Sequence, residues 1–215
     1  MANLYSIALI SAWIIIIILS AFVAKIFFPK KKELSRKIVH IGIGPILPFA
    51  WWLDIPPEIA ISVAITVSIL LLINYRLKVI DIFENIERKS YGTIAYGISI
   101  SILLITFWST KPDAACAGVL IMAFGDGFAG LIGKQIDSQS WTIFKQRKSL
   151  AGTASMALIS GLVLVIWNVI SGNTLNNLDI ITIAFLAMGL EQIGPYGIDN
   201  LTVPIGVAIG WSYLT

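Results

Sequence analysis

Residues 114–133 have the sequence AACAGVLIMAFGDGFAGLIG, a run of twenty residues in which Asp126 is the single charge. Twenty apolar residues are about the length at which an α-helix crosses a bilayer. The polar, basic segment 134–148 follows, so a helix places Asp126 roughly 12 Å from the start of that loop. A carboxylate at that depth costs about 2.5–3.5 kcal/mol or more and normally faces a functional cavity. We therefore favour a metal- or phosphate-handling site over an aspartate used only in packing.

Glycine occupies four of the nine positions from 125 to 133. Glycine lets a second backbone or a ligand approach closely. Gly125 and Gly127, which flank Asp126, are therefore candidate contacts for a nucleotide or phosphate.

The composition is that of an integral membrane protein, because 57% of the 215 residues are hydrophobic and 13% are charged. The apolar segments predict an all-α, polytopic transmembrane bundle of about seven or eight spans, as a single domain over residues 1–215. The segment 76–90 has near-helical apolar spacing, which is typical of a helix lying in the membrane interface. Segment 134–149 is predicted to be a loop. The predicted spans are about 4–28, 38–53, 59–75, 91–109, 114–133, 150–170, 179–192 and 201–213.

Fourteen of the fifteen Lys and Arg residues lie at position 25 or in the segments 30–37, 76–89 and 134–148. With eight spans these segments share one side of the membrane, which the positive-inside rule assigns to the cytoplasm. The predicted partner is the lipid bilayer, and no nucleic acid is expected.

Two basic clusters are candidate phosphate sites on that cytoplasmic side. Arg36, Lys37 and His40 open the second span, and positions 36 and 40 share a helix face. Arg147 and Lys148 precede a predicted helix that Ser149 would cap, with Gly152 in its first turn. The free N–H groups of that helix and the two cations together predict a phosphate cradle.

Acidic residues recur where the seventh span ends and the eighth begins. Glu191 closes an apolar run, and Asp199 follows a segment broken by Gly194, Pro195 and Gly197. Oxygen ligands from Asp126, Glu191 and Asp199 suit Mg²⁺ carrying a nucleoside triphosphate. Because the chain lacks a GxxxxGK[ST] loop, any nucleotide is held differently from that in P-loop enzymes.

Four motifs follow one another along the chain: Arg36-Lys37-x-x-His40, Gly125-Asp126-Gly127-x-Ala129-x-x-x-Gly133, Arg147-Lys148-Ser149-x-x-Gly152-Thr153-x-Ser155-Met156 and Glu191-x₇-Asp199-Asn200-Leu201-x-Val203-Pro204. In this order they resemble the motifs of the polyprenol kinase family, which includes phytol, farnesol and dolichol kinases and is related to the phosphatidate cytidylyltransferases. The short length and the last motif resemble most the cyanobacterial and chloroplast phytol kinase branch.

The resemblance implies transfer of the γ-phosphoryl group of CTP or UTP to phytol or a similar prenyl alcohol, a step that salvages phytol in tocopherol-making organisms. It implies a prokaryotic inner, thylakoid or plastid membrane, with the active site on the cytoplasmic side. Asp126, with Glu191 or Asp199, is expected to hold Mg²⁺. Asp126 or His40 is expected to accept the hydroxyl proton.

Two other functions stay open from the sequence. A cytidylyltransferase would attack the α-phosphate of CTP and release pyrophosphate. A small transporter could use Asp126 and Glu191 for ion coupling, although the polar residues are expected at one end of the bundle only.

Overall fold

The fold is a bundle of α-helices in a computed structural model that describes residues 4–29, 32–77, 91–144 and 146–215. This confirms the predicted all-α membrane bundle. Within those residues there are ten α-helices, a π-helical segment, a short 3₁₀ turn and one β-hairpin. The helices are α1 Leu4–Phe27, α2 Lys32–Ile43, α3 Ile46–Trp52, α4 Pro57–Leu77, α5 Gly92–Phe107, α6 Pro112–Leu120, α7 Gly127–Gln135, α8 Leu150–Ile170, α9 Asn177–Ile193 and α10 Asp199–Leu214.

Four helical stretches in the described part of the chain are long and apolar enough to cross a membrane. They are Leu4–Phe27, Pro57–Leu77, Pro112–Gln135 and Leu150–Ile170. The other predicted spans correspond to shorter helices of 7 to 17 residues. The number of eight spans therefore stays a prediction.

The stretch Pro112–Gln135 lies at the centre of the bundle. In its most apolar part 67% of the residues are buried, against 6% in Pro57–Leu77. It consists of α6, the π-helical segment Ile121–Asp126 and α7. At Gly118 a Cβ atom would lie 2.3 Å from the carbonyl oxygen of Pro204, so α6 and α10 meet backbone to backbone. The span with the intramembrane acid is thus enclosed by its neighbours.

The second span differs from its prediction, because it begins at Lys32 and is broken between α2 and α3. The break falls at Gly44 and Pro45. Proline cannot donate a backbone hydrogen bond, and glycine permits a close approach. A Cβ atom on Gly44 would lie 2.6 Å from the Cβ of Ala123, so the break brings α2 against the π-helical segment.

The segment predicted as a loop over 134–149 contains a β-hairpin, which corrects that prediction. Strands β1 Ser140–Ile143 and β2 Gln146–Ser149 pair antiparallel, with Trp141 opposite Lys148. Each strand has only four residues, and although β1 (Ser-Trp-Thr-Ile) alternates polar and apolar residues, β2 (Gln-Arg-Lys-Ser) has no apolar residue to signal a strand. Of the predicted interfacial helix at 76–90, the first two residues belong to α4, and 78–90 lie outside the described residues.

An acidic group also lies at the far end of the central span, which corrects the expectation of polar residues at one end only. Asp113 is in the first turn of α6, and its Oδ2 accepts hydrogen bonds of 2.8 Å from Trp211 Nε1 and from Asn173 Nδ2. Trp167 Nε1 donates to the carbonyl oxygen of Asp113 at 2.9 Å. These bonds tie α6 to α10, to α8 and to the turn after α8.

Candidate active site

Three carboxylates meet at one end of the bundle, as expected from the sequence. Oxygen atoms of Asp126, Glu191 and Asp199 all lie within 4.8 Å of one another, and all three residues are half-buried. Asp126 comes from the central span, Glu191 from the end of α9 and Asp199 from the start of α10. The structure therefore unites three residues that are separated by up to 73 positions in the chain.

A tight reversal of the chain places Glu191 beside Asp199. It passes through the 3₁₀ turn Pro195–Gly197, in which Tyr196 and Gly197 have φ values of 53° and 89°. At Gly194 a Cβ atom would lie 2.5 Å from the backbone nitrogen of Asp199 and 2.7 Å from its Cα. No other residue fits there without moving the backbone, so glycine at this position sets the spacing of the two acids.

Asp126 is the last residue of the π-helical segment Ile121–Asp126. Single π-helical turns within α-helices are rare and frequently occur at functional sites. The carbonyl oxygen of Met122, in this segment, lies 3.0 Å from His40 Nε2. The π-helical turn thus presents both a carbonyl oxygen and a carboxylate toward α2.

Lys37 and His40 are the residues of α2 that contact Asp126. Lys37 Nζ donates to Asp126 Oδ2 at 2.6 Å and to the Asp126 carbonyl oxygen at 3.0 Å. His40 Nε2 lies 3.2 Å from the same Oδ2. Because the Met122 carbonyl can only accept, Nε2 of His40 carries a proton and donates. The Nε2–H of His40 is therefore directed to the Met122 carbonyl, with the Asp126 carboxylate close beside it.

Arg36 takes no part in these contacts, so it does not reach Asp126 together with His40, and its phosphate-binding role stays a prediction. Arg36 Nη2 donates to Glu33 Oε2 at 2.7 Å, and Lys134 Nζ lies 3.7 Å from the other oxygen of Glu33. The rotation of α2 about its axis brings positions 37 and 40 toward Asp126, so position 36 is left at the rim.

Glu191 is held by the β-hairpin and by its own neighbour in the chain. Lys148 Nζ forms an ion pair with the Glu191 carboxylate and donates to the Glu191 carbonyl oxygen at 2.7 Å. Gln192 Nε2 donates to Glu191 Oε2 at 2.7 Å and to Thr153 Oγ1 at 2.9 Å, and Trp141 Nε1 donates to Gln192 Oε1 at 3.3 Å. Sequence analysis missed Gln192, whose only signal was its place beside Glu191.

The predicted phosphate cradle before α8 is only partly present. Arg147 and Lys148 are consecutive in a strand and so point to opposite faces. Lys148 faces Glu191, whereas Arg147 is exposed and donates from Nε to Ser140 Oγ at 3.2 Å.

The N–H groups expected to be free at the start of α8 have partners within the protein, which corrects that prediction. Ser149 caps the helix as predicted, because its Oγ accepts from Gly152 N at 3.2 Å. Leu150 N donates to the Gln139 carbonyl at 2.9 Å, and Ala151 N donates to Ser138 Oγ at 3.1 Å. These bonds occupy the donors that a helix N-terminus otherwise offers to an anion.

The predicted glycine contacts lie against protein atoms. A Cβ atom on Gly125 would lie 2.7 Å from Ser160 Oγ, and one on Gly127 would lie 2.5 Å from Ile41 Cγ1. Gly152 packs against Gly133, with 3.5 Å from its Cβ position to the Gly133 Cα. In the structure these glycines allow close helix packing.

Tyr96 is a further residue that the sequence did not indicate. Its side chain is 5% exposed, and its ring centroid lies 4.5 Å from that of His40. Among the described residues its hydroxyl has no hydrogen-bond partner. A buried hydroxyl without a partner is costly and is typical of a site that receives a ligand.

The arrangement of charges fits a divalent cation. Lys37 pairs with Asp126 and Lys148 pairs with Glu191, whereas Asp199 has no ion pair within the described part of the chain. Its Oδ1 accepts one hydrogen bond, from the backbone N–H of Asn200 at 3.1 Å. Three carboxylates this close repel one another, and carboxylate oxygens are the ligands that Mg²⁺ prefers.

Comparisons with known proteins identify relatives of this chain. The chain is 41% identical over 188 residues to the phytol kinase of Synechocystis sp., and the match covers 85% of this chain and 81% of that protein. It is 27% identical to a probable chloroplastic phytol kinase 2 of Glycine max, over 83% of this chain and 64% of the relative. It is also 27% identical to the chloroplastic farnesol kinase of Arabidopsis thaliana, over 59% of this chain and 44% of the relative. No protein-family model and no solved structure matches the chain.

Proposed function

This chain belongs to the family of phytol and polyprenol kinases, and we propose that it transfers the γ-phosphoryl group of CTP or UTP to the hydroxyl of a prenyl alcohol such as phytol. The observation that supports this most strongly is the meeting of three carboxylates and two lysines at one end of a membrane bundle. A polyanionic donor needs this combination of metal ligands and cations beside lipid.

Asp126, Glu191 and Asp199 are the residues proposed to hold Mg²⁺. When bound there, the ion would neutralise charge on the donor phosphates. Lys37 donates two hydrogen bonds to Asp126, and Lys148 donates two to Glu191, in each case one to the carboxylate and one to the backbone carbonyl. An ammonium group has three donors, so each lysine keeps one N–H for a phosphate oxygen. Lys37 and Lys148 thus take the phosphate-binding role in this proposal, ahead of Arg36 and Arg147.

The hydroxyl proton is proposed to go to a carboxylate of this cluster. Oδ2 of Asp126 accepts from Lys37 and lies 3.2 Å from His40 Nε2, which leaves its other oxygen for the proposed metal and alcohol. Nε2 of His40 already carries a proton, so this atom is not the base in this proposal. Phosphoryl transfer has a loose transition state that makes small demands on a base, so positioning by these side chains matters more.

The test is phosphorylation by the purified full chain in lipid nanodiscs with Mg²⁺, γ-labelled CTP or UTP, and phytol, geranylgeraniol, farnesol or dolichol. We expect label on the alcohol. Label released as pyrophosphate indicates a cytidylyltransferase instead, and solute flux in liposomes without nucleotide indicates a transporter.

The matched variants are Asp126→Asn and Asp137→Asn. Asp137 is exposed, in the segment between α7 and β1. We expect Asp126→Asn to lower turnover by about a hundredfold or more, as removal of a group that positions transition-state charge does. Asp137→Asn is expected to keep wild-type turnover. Retained activity in Asp126→Asn removes this residue from the mechanism.

A further inference from the structure

An apolar groove of about 610 Å³ runs between α9 and α10. One wall is formed by Leu186 and Leu190 of α9, and the other by residues of α10 from Leu201 to Tyr213. Ile209 is 55% exposed and Leu186 is 41% exposed, so the groove opens sideways, toward the surrounding bilayer. The groove is therefore accessible to a molecule dissolved in the lipid.

Two glycines one helical turn apart, Gly206 and Gly210, form the α10 side of this groove. A Cβ atom on Gly206 would lie 2.5 Å from Leu190 Cδ1, so here glycine also serves helix packing. At Gly210 the nearest atoms to a Cβ would be Ile183 Cγ1 at 3.6 Å and Leu186 Cδ2 at 3.7 Å, which is ordinary contact. Packing therefore does not require glycine at 210, and a larger side chain there would extend into the groove.

One end of the groove lies about one turn of α10 from the carboxylate cluster. Thr202 is three residues after Asp199 and Gly206 is seven residues after it, so these positions share one face of α10. From Leu201 to Tyr213 the groove follows twelve residues of α10, which is about 18 Å of helix. Its single hydroxyl near the cluster, that of Thr202, donates to the Ile198 carbonyl at 3.3 Å. The remaining lining is aliphatic up to Tyr213, so an extended hydrocarbon chain fits its chemistry and its length.

We propose that this groove binds the isoprenoid tail of the acceptor alcohol, with the hydroxyl at the carboxylates and the tail end near Tyr213. The identity of the occupant rests on the proposed function. The same two helices carry Glu191 and Asp199, so a tail seated along α10 places its hydroxyl beside the proposed metal ligands. The length of open groove then determines which chain lengths the protein accepts.

The first test shortens the groove at two depths. Gly210→Leu fills it far from the carboxylates, and Gly206→Leu fills it about one turn closer. We expect Gly210→Leu to raise the KM for phytol and geranylgeraniol by about tenfold, the affinity lost when roughly two methylenes leave an apolar contact. The KM for geraniol, whose chain is shorter, is expected to stay unchanged. Gly206→Leu is expected to raise the KM for farnesol as well.

The matched control is Gly161→Leu on α8, where a Cβ atom would have nothing within 4 Å. It makes the same substitution on a helix away from the groove, and we expect wild-type KM values for every alcohol. Equal effects of Gly210→Leu on short and long alcohols, or no effect on either, overturn the proposal.

A second test does not depend on catalysis. The full chain in nanodiscs is photolabelled, without nucleotide, with a phytol analogue that carries a diazirine at its tail end. We expect the label on peptides of α9 and α10 near Ile209 and Tyr213, reduced by Gly210→Leu and unchanged by Gly161→Leu. Labelling elsewhere contradicts the proposal that the tail binds in this groove. If the wild type phosphorylates no alcohol, the proposed function fails, and this labelling still decides whether the groove binds the tail.

Discussion

At the scale of the residue, the least compensated charge of the site is Asp199. Asp126 and Glu191 each have a lysine partner, whereas Asp199 accepts only from the Asn200 N–H within the described residues. Carboxylates in close proximity destabilise one another unless a cation lies between them. Asp199 is therefore the position at which loss of a proposed metal ion would matter most to stability.

The first prediction is that Mg²⁺ stabilises the wild type but not Asp199→Asn. Saturating Mg²⁺ should raise the melting temperature of the wild type in detergent by about 5 to 10 °C, because a ligand at a hundredfold its Kd contributes about 2.7 kcal/mol. Without Mg²⁺, Asp199→Asn should melt at or above the wild-type temperature, since a repulsive charge is removed. An equal response of both proteins to Mg²⁺ would contradict the metal assignment.

The second prediction concerns the buried hydroxyl of Tyr96. Its hydroxyl has no partner among the described residues, and a buried unsatisfied polar group costs about 1–3 kcal/mol. Tyr96→Phe should therefore raise the free energy of unfolding by about 1 kcal/mol, measured in detergent. It should also lower kcat/KM about tenfold, because the hydroxyl beside His40 is then missing as a ligand donor. Tyr91→Phe, at a residue that is 51% exposed, should change neither quantity, and unchanged kcat/KM in Tyr96→Phe removes this hydroxyl from ligand binding.

Sequence reasoning at this scale predicted which acids meet but not the exact contacts of the cations. Asp126 was selected by its depth within an apolar run. Glu191 and Asp199 were selected by their places at the end of one predicted helix and the start of the next. The choice between Arg36 and Lys37 depends on how α2 is rotated against the π-helical segment, and a single sequence carries no measure of that rotation. Gln192 and Tyr96 were missed for the same reason, since their roles come from contacts across helices.

At the scale of the element, the β-hairpin and the turn between α9 and α10 together hold Glu191. Trp141 and Lys148 are cross-strand neighbours in the hairpin, and both contact α9. Trp141 donates to Gln192, and Lys148 donates to Glu191. The strands of the hairpin are short and β2 is entirely polar, so hydrophobic periodicity did not reveal the pair. Ser138 and Gln139, just before β1, accept hydrogen bonds from the first N–H groups of α8. A local capping rule could predict Ser149, but it could not predict partners that arrive from the preceding loop.

The third prediction tests the turn through Gly194. Gly194→Ala should lower turnover by more than about tenfold, because the added Cβ would meet the backbone of Asp199 at 2.5 to 2.7 Å and displace it. Helix content, measured by circular dichroism, should stay unchanged. The control is Gly189→Ala on α9, where a Cβ has nothing within 4 Å and alanine improves helix propensity. Wild-type turnover in Gly194→Ala would show that the spacing of Glu191 and Asp199 is not critical.

At the scale of the whole molecule, the two ends of the bundle differ in their polar groups. One end has three half-buried carboxylates with lysine and histidine partners. The other end has Asp113, whose carboxylate is occupied by indole and amide donors. Among the residues that the structure describes, the first end is the one that combines clustered acid with nearby cations. It is also the end at which the basic segments were predicted to meet. Under the proposed function, the donor nucleotide would reach that end from water and the alcohol would reach it from the lipid.

The fourth prediction is that this end faces the cytoplasm. Thr174 is exposed in the turn after α8, and Lys134 is exposed in the last turn of α7, at the end of the bundle that holds the β-hairpin. Each can therefore be replaced by cysteine to report one side. The native Cys116 is fully buried and should not react. In intact bacterial cells, an impermeant maleimide should label Thr174→Cys, whereas Lys134→Cys should react only after permeabilisation, because basic segments stay on the cytoplasmic side. The reverse pattern would place the carboxylates away from the cellular nucleotide pool and would contradict the proposed use of CTP or UTP from the cytoplasm.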